Sequence, residues 1–337
     1  MIPIIDGDVI AHLSCKNRWM NENGDRLISL DQGEYQFSKE EDEAYLNKCW
    51  FEFKKLMKSI SDITFNDDYL MAVKGDENYR DTIYCDYKAN RRKDPNKRNN
   101  FVPVLRMKAA QELNAVEAHG RETDDLLRIW AEQARAVGEP YVIVSVDKDL
   151  DCIPGKHYNI KKNLFYDVSE LYATRFFYQQ LMSGDPTDNI PGIWKCGPKT
   201  AERALLNVDD EVEMQTIVVE AYITAYGENW YDMLLSNGKM LYLQKHEHDF
   251  FSIDDWYIVS ALGRPVPVAE GQVLEVPLEA AVLEQSETQT PRPSPSPSLK
   301  VCAAPAPKEV PSCAIPMPDM ASRPSPKPFM GSVPKKV

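Results

Sequence analysis

No CxxC pair occurs among the seven cysteines of this 337-residue chain, at positions 15, 49, 85, 152, 196, 302 and 313. Their odd number leaves one thiol over, so reduced cysteines are expected and a secreted disulfide framework is not. No run of 18 apolar residues appears, which excludes a membrane-spanning helix. Positive charge is not in excess either: 39 Lys and Arg face 52 Asp and Glu, a net charge of −13. That balance argues against unselective coating of nucleic acid, although it does not speak for a local groove. The chain enters Ile2-Pro3-Ile4-Ile5-Asp6 with no basic stretch ahead of it, so no export signal and a cytoplasmic location are expected.

What the chain does have is acid in tight groups. Nine carboxylates stand out: Asp6, Asp76, Glu122, Asp124, Asp125, Asp147, Asp149, Asp185 and Asp188. Most follow an apolar strand-like run or open a helix-like run. Gathered in space without cations they would repel, at roughly 4 kcal/mol for a pair 4 Å apart in a medium of effective dielectric about 20. A fold that gathers them therefore asks for divalent metal. Clusters of oxygen donors without His or Cys favour Mg²⁺ or Mn²⁺ over zinc. Any single group taken alone is more often a helix cap or a loop acid. It is the repetition at strand ends that favours metal.

The coarse pattern alternates. Strand-like runs at Ile2–Ile5, Tyr69–Val73, Tyr141–Val146 and Tyr158–Ile160 are interleaved with helix-like runs at Lys39–Ile60, Pro103–Ala115, Thr123–Val137 and Ser169–Met182. Ser38 with Glu41 predicts a capping box, and Gly138 predicts a helix end. The fold class expected is α/β: a mostly parallel sheet flanked by helices, with its site outside the carboxyl ends of the strands. Asp6 and Asp147 each follow a strand and would both reach that crevice. Asp147 and Asp149 share a face if the strand persists, and the i, i+3 pairs Glu122/Asp125 and Asp185/Asp188 share sides of a helical turn. Three regions are expected: a core over 1–182 with a basic arch at about 77–100, a helical region over 183–284, and a Pro/Ser-rich disordered tail over 285–337.

The arch segment holds Lys88-Ala89-Asn90-Arg91-Arg92-Lys93 and continues to Arg98, with Arg80 and tyrosines 79, 84 and 87 before it. Cations for phosphates with aromatics for bases is a pattern that grips single strands. An isolated basic run is more often a solvated loop; its place beside the acids reverses that preference. Gly184-Asp185-Pro186-Thr187-Asp188-Asn189-Ile190-Pro191-Gly192-Ile193-Trp194-Lys195-Cys196-Gly197-Pro198-Lys199-Thr200 is the third feature. Pro198 suits the first position of a helix, and the amides around Gly197 to Thr200, with Lys195 and Lys199, suit a phosphate. Trp194 either packs or touches the ligand.

The ordered set IIDGD, YRDTIYCDYKANR, GRETDDLL, SVDKDL and GDPTDNIPGIWKCGPKTAERAL resembles the flap endonuclease family of 5′ nucleases, bacteriophage-type 5′→3′ exonucleases and the 5′-nuclease domains of bacterial DNA polymerases in particular. The resemblance spans about residues 1–206. It implies a PIN-like fold with a helix–three-turn–helix element at 183–206 that binds duplex DNA, and two metal ions. Asp6, Glu122, Asp124 and Asp147 would lie nearest the first ion, and Asp125, Asp149, Asp185 and Asp188 would hold or orient the second. Asp76 would supply the family's second acid, although it stands closer to Arg80 than usual. Arg80, Tyr87, Lys88, Arg91 and Arg92 would contact DNA, with Lys88 and Arg91 acting on the scissile phosphate. Gly192, Lys195, Gly197, Lys199 and Thr200 would contact the duplex, with K⁺ near 192–197. The implied activity is two-metal hydrolysis of DNA near 5′ ends, at flaps or in RNA–DNA hybrids, leaving 5′-phosphates. The protein would be monomeric, in host cytoplasm if phage-encoded, with an unidentified partner for its tail. Two other readings stand beside this one: a haloacid-dehalogenase-like phosphatase, suggested by Ile4-Ile5-Asp6-Gly7-Asp8, and a non-catalytic junction-binding protein.

Overall fold

A computed structural model describes residues 1–15, 39–89 and 101–263. Arg91, Arg92, Ser38 and the 285–337 tail lie outside them. Six strands form one sheet in the order β3-β2-β1-β4-β5-β6. They are β1 (Ile2–Asp6), β2 (Leu70–Lys74), β3 (Val116–Ala118), β4 (Tyr141–Ser145), β5 (Gly155–Asn159) and β6 (Leu164–Val168). All pair in parallel except β5 with β6. The chain is thus a mixed α/β fold with a mostly parallel sheet, as the alternation predicts.

β1 and β4 read as near-continuous apolar runs because they lie at the sheet's centre with helices on both faces. β3 and β6 escape the sequence pattern. The first is three residues long, and the second is an antiparallel edge strand whose side chains are mostly exposed. Residues that face solvent on both sides carry no alternation to read.

Ten helices follow in chain order among the described residues: α1 (Gly7–Ser14), α2 (Lys39–Thr64), α3 (Arg80–Ile83), α4 (Phe101–Leu113), α5 (Thr123–Ala136), α6 (Glu170–Ser183), α7 (Pro198–Leu205), α8 (Glu211–Tyr226), α9 (Trp230–Leu241) and α10 (Tyr257–Leu262). α1, α2 and α4 cover one face, packing Ile10, Phe53, Trp50 and Leu105 onto Ile5, Met71, Val142 and Val144. Fully burying side chains of that size stabilises by roughly 1.5–3 kcal/mol each. α5 ends as expected, with Gly138 at φ +70° just past its C-cap. A second core, built on Leu181, Leu205, Val218, Tyr222, Leu234 and Trp256, unites α6 to α10.

The hairpin between α6 and α7 is set by two glycines back to back. Gly184 (φ +66°) and Gly192 (φ +59°) approach so closely that a Cβ on Gly192 would stand 2.2 Å from the Gly184 nitrogen. Asp185 and Ile190 close the loop with reciprocal backbone bonds of 3.0 and 2.8 Å. At Gly197, by contrast, an added Cβ meets nothing within 4 Å. Gly192→Ala is therefore expected to cost about 3 kcal/mol and Gly197→Ala less than about 1 kcal/mol, as read by urea denaturation. Equal costs would show that the two loops are not packed this way.

Candidate functional site

The chain leaves β1 toward β2 on one side and reaches β4 on the other, so the carboxyl ends of β1 and β4 flank a topological switch point. Asp6 ends β1 and caps α1, its Oδ1 accepting from the Val9 amide at 3.1 Å. The Ser145 hydroxyl, at the end of β4, donates to Asp6 Oδ2 at 2.9 Å and accepts from the Asp147 amide at 3.1 Å. A single buried serine thereby fixes two acids from two strands. Asp147 Oδ1 in turn accepts from the Asp149 amide at 3.0 Å, and Gln180 of α6 donates to Asp149 Oδ1 at 3.0 Å. β4 does not persist through this stretch; Asp149 instead opens a 3₁₀ turn over Asp149–Cys152.

The other working acids enter from the start of α5 and from the hairpin. Glu122 is the N-cap of α5 and forms a capping box with Asp125. Its Oε1 accepts from Asn78 at 3.0 Å and from Lys88 Nζ, while its Oε2 accepts from the Tyr87 hydroxyl at 2.9 Å. Lys88 also lies 3.4 Å from Asp188, and its backbone amide donates to the Asp188 carbonyl at 2.9 Å. Asn189 reaches back to the Asp86 carbonyl at 2.9 Å. The foot of the basic segment is thus tied to the acidic hairpin.

The electrostatics divide these carboxylates sharply. Burial, then Asp8 and more weakly Asp147, lift the Asp6 carboxyl to about 7. Asp124 is held well above the ordinary carboxylate range by burial and then by Asp6, Glu122 and Asp147. Burial, with Asp147, Asp185 and Asp188, pushes Asp149 up to about 7, against a small opposing effect of Lys148. Glu122 goes the other way: burial pushes it up, but Arg80, Lys88 and its bonds from Lys88 and Tyr87 outweigh that and hold it low. The acids therefore form two overlapping groups, Asp6/Glu122/Asp124/Asp147 and Asp147/Asp149/Asp185/Asp188, with Asp147 common to both.

Four expectations are corrected by where the side chains lie. Asp76 is 92% exposed and faces His119 at 3.9 Å, outside both groups; the turn after β2 carries it away from the sheet end. Asp125 is wholly buried, and both its oxygens are taken. Oδ2 accepts from Arg80 at 2.6 Å and from the Glu122 amide at 3.0 Å, Oδ1 from Arg80 at 2.9 Å and from the Gln244 amide at 3.1 Å. It orients Glu122 and is not placed to hold an ion. Arg80 is 0% exposed, donating also to the carbonyls of Met240 and Tyr242 at 2.8 and 2.6 Å, so it cannot reach nucleic acid. Tyr87 is 1% exposed, and its hydroxyl serves Glu122 instead of stacking on a base.

Two residues that matter here were not singled out by sequence. Ser145 sits inside the SVDKDL motif, but a serine at a strand end has no signature of its own. Asp8 accepts from the Lys74 amide at 3.0 Å, Arg106 at 2.7 Å and Thr123 at 2.9 Å, fastening α1, β2, α4 and α5 together beside Asp6. Its doublet spacing with Asp6 is the one signal that pointed to it.

Among the described residues no three acidic, His or Cys side chains converge tightly enough to enclose one ion. Mg²⁺ does not require that: it keeps several waters and binds through one or two carboxylates. All donors here are oxygen, and burial with neighbouring acids raises the pKa of Asp6, Asp124 and Asp149. The donor set thus suits a hydrated divalent cation and not zinc.

Residues 34–179 match the family model described as 5′-3′ exonuclease, N-terminal resolvase-like domain. That segment, under half of the chain, is similar to such domains. Similar proteins include DNA polymerase I of Rhizobium leguminosarum, 36% identical over 142 residues, which are 39% of this chain and 14% of the polymerase. The 5′-3′ exonuclease of Buchnera aphidicola subsp. Schizaphis graminum (strain Sg) is 29% identical over 159 residues, 44% of this chain and 55% of its own length. That of Aquifex aeolicus (strain VF5) is 32% identical over 133 residues, 36% of this chain and 46% of its own. The matched region thus spans about half of the exonucleases and a smaller part of the polymerase. A solved T5 5′-exonuclease with bound zinc aligns over 71% of this chain and 97% of its own at 14% identity, with a TM-score of 0.43, too low for anything to be drawn from it. No helix among the described residues is long and apolar enough to cross a membrane.

Two outcomes are expected from this geometry. Arg80→Met leaves the Asp125 carboxylate buried without its cation and should destabilise by about 3–5 kcal/mol in urea titration; a loss under 1 kcal/mol would show that the clamp is not formed. In chelator, the folded protein holds protons on Asp6 and Asp149 up to pH about 7, which the unfolded chain has released above about pH 4. The folded state then binds more protons, so stability falls as pH rises from 5 to 7. Thermal melts in EDTA should follow that slope, and a flat or rising profile would contradict the crowding.

Proposed function

We propose that this chain is a metal-dependent 5′ nuclease that hydrolyses DNA phosphodiesters near 5′ ends and leaves 5′-phosphates. The observation that carries the reading is the joining of Asp6 and Asp147 through Ser145 at the switch point of the sheet, in a chain whose residues 34–179 match a 5′-3′ exonuclease domain model. A PIN-like core, with the hairpin and α7 as a helix–three-turn–helix element, belongs to the same reading.

Asp6, Asp124 and Asp147, with Glu122, would hold one ion, and Asp149, Asp185 and Asp188 a second, Asp147 serving both. Bound Mg²⁺ or Mn²⁺ would lower the pKa of water and neutralise charge on the phosphate. The chain's own groups do the rest. Ser145 keeps Asp6 and Asp147 in register. The charges of Arg80 and Lys88, with the hydrogen bonds from Lys88 and Tyr87, favour the ionised form of Glu122. Lys88, its side chain 23% exposed between Glu122 and Asp188, is positioned to transfer its contact to a non-bridging phosphate oxygen. Water adds to phosphorus, the bond from phosphorus to the 3′ oxygen breaks, and that oxygen leaves as a hydroxyl.

Lys195, Gly197, Lys199 and Thr200 are all exposed, which supports a duplex grip there by the monomer. Arg91 and Arg92, outside the described residues, would contact the frayed strand at a flap or in an RNA–DNA hybrid. K⁺ near 192–197 would share carbonyls already in use, since Gly192 O accepts from Tyr226 and Ile193 O from the Cys196 amide. No observation favours the phosphatase or the junction-binding reading.

Asp147→Ala should lower cleavage of a 5′-labelled flap duplex by at least about 1000-fold in saturating Mg²⁺ while retaining duplex binding. Asp76→Ala should stay within about twofold of the parent, because the side chain stands in solvent. Blunt, flapped and hybrid substrates with and without Mg²⁺ complete the assay. Undiminished cutting by Asp147→Ala would overturn the assignment.

A further inference from the structure

Asp6 and Asp124 reach the site from the starts of two different helices, Asp6 as the N-cap of α1 and Asp124 as the second residue of α5. A side-chain bond joins those two starts directly. The hydroxyl of Thr123, the first residue of α5, donates to Oδ2 of Asp8, the second residue of α1, at 2.9 Å. Asp8 Oδ1 is committed elsewhere, to the Lys74 amide at 3.0 Å and to Arg106 Nε at 2.7 Å. Like Asp125, Asp8 spends both oxygens on the scaffold, with an arginine as its cation.

Each end of this bond is anchored independently of the other. A Cβ on Gly7 would stand 2.6 Å from the Ala72 carbonyl oxygen and 2.7 Å from Val73 Cγ1, so the start of α1 is pressed against β2. The Lys74 amide then ties Asp8 to the end of the same strand. Thr123, 5% exposed, opens a helix held from the far side by the Arg80–Asp125 clamp. The load on the bond is electrostatic. After burial, the charge of Asp6 is the strongest influence raising Asp124, so the two acids repel and push their helix starts apart. A hydrogen bond to a carboxylate is stronger than one between neutral groups, and this one opposes that separation.

Mg²⁺ asks for near-octahedral oxygens at about 2.0–2.1 Å. Carboxylates carried by two helices serve one such ion only if the helix starts keep their spacing. We infer that Asp8 and Thr123 are positioning residues: their bond holds the first turns of α1 and α5 at the spacing that lets Asp6 and Asp124 receive one divalent cation, and thereby sets how tightly that cation binds. This rests on the metal-dependent nuclease reading and assigns within it two residues that act through others. Groups that orient metal ligands in this way typically change affinity or activity by about 10–100-fold when removed. The hydroxyl of Thr123 is the deciding group, because valine has the same shape without it.

The experiment titrates Mn²⁺ into the full chain without nucleic acid, followed by calorimetry, and then measures flap cleavage across a series of Mg²⁺ concentrations. Thr123→Val should weaken Mn²⁺ binding about tenfold. Its half-saturating Mg²⁺ should rise by about the same factor, while the rate at saturating Mg²⁺ stays within about threefold of the parent. Thr123→Ser keeps the hydroxyl and should bind Mn²⁺ within about twofold of the parent. Thr123→Ala, also without a hydroxyl but smaller, should behave as Thr123→Val does, and melting in EDTA shows that each variant is folded. Parent-like Mn²⁺ affinity in both Thr123→Val and Thr123→Ala, with Asp147→Ala impaired, overturns this inference alone; so does equal weakening by Thr123→Ser. Mn²⁺ binding that is absent from the parent, or is untouched by Asp147→Ala, overturns the nuclease reading itself.

Discussion

Like charge crowded at the carboxyl ends of β1 and β4 is what the rest of the molecule is arranged around. Asp6, Asp124 and Asp149 all sit where burial and neighbouring acids oppose ionisation. A fold selected for stability alone would disperse them. The scaffold instead holds them in place with directional bonds: a capping bond from Val9, a serine bridge between two strands, and an amide from Gln180 on a different helix. Each bond fixes an oxygen without neutralising its charge. The site is thereby pre-arranged for positive charge while leaving its carboxylates free to receive it.

The neighbouring acids Asp124 and Asp125 show how one helix start separates two jobs. Successive residues on a helix point about 100° apart, so Asp124 faces the acidic groups while Asp125 turns inward. There Arg80 grips it with two nitrogens and spends its remaining donors on the carbonyls of Met240 and Tyr242. Planar, forked recognition of this kind is a property of arginine that lysine does not share. The clamp joins α3, the start of α5 and the segment after α9. It also anchors the Glu122 amide through Asp125 Oδ2. Buried charge here serves geometry: it sets the angle at which Glu122 enters the site, at the cost of desolvating two ions.

Sheet order aside, much of this was legible in sequence. Apolar runs marked the central strands, and acids after those runs marked the switch point. Asp6 and Asp147 both act electrostatically on Asp124. What failed did so for identifiable reasons. A motif reports that Arg80, Tyr87 and Asp125 belong near a site, but not whether a side chain faces the substrate or supports one that does. Arg80 and Asp125 satisfy each other across 45 positions, and no local pattern records such a pairing. Asp76 misled because spacing from a strand end was used where a turn intervenes. β3 and β6 were missed because short or edge strands leave no periodic trace.

The foot of the basic segment and the acidic hairpin are one mechanical unit. Lys88 donates its amide to Asp188, extends its ammonium between Asp188 and Glu122, and lies over the ring of Tyr87 at 4.8 Å. Asn189 returns a bond to Asp86. The same hairpin is pinned to α6 through Gly184 and Gly192 and leads directly into the Trp194 tip. Lys88 and the hairpin are therefore two segments held at a fixed distance by the bonds between them. Replacing Lys88 would disturb three contacts at once, two of them to acids, so its loss would be felt as added repulsion as well as lost attraction. In this way the spacing between Lys88 and the hairpin is fixed by backbone contacts.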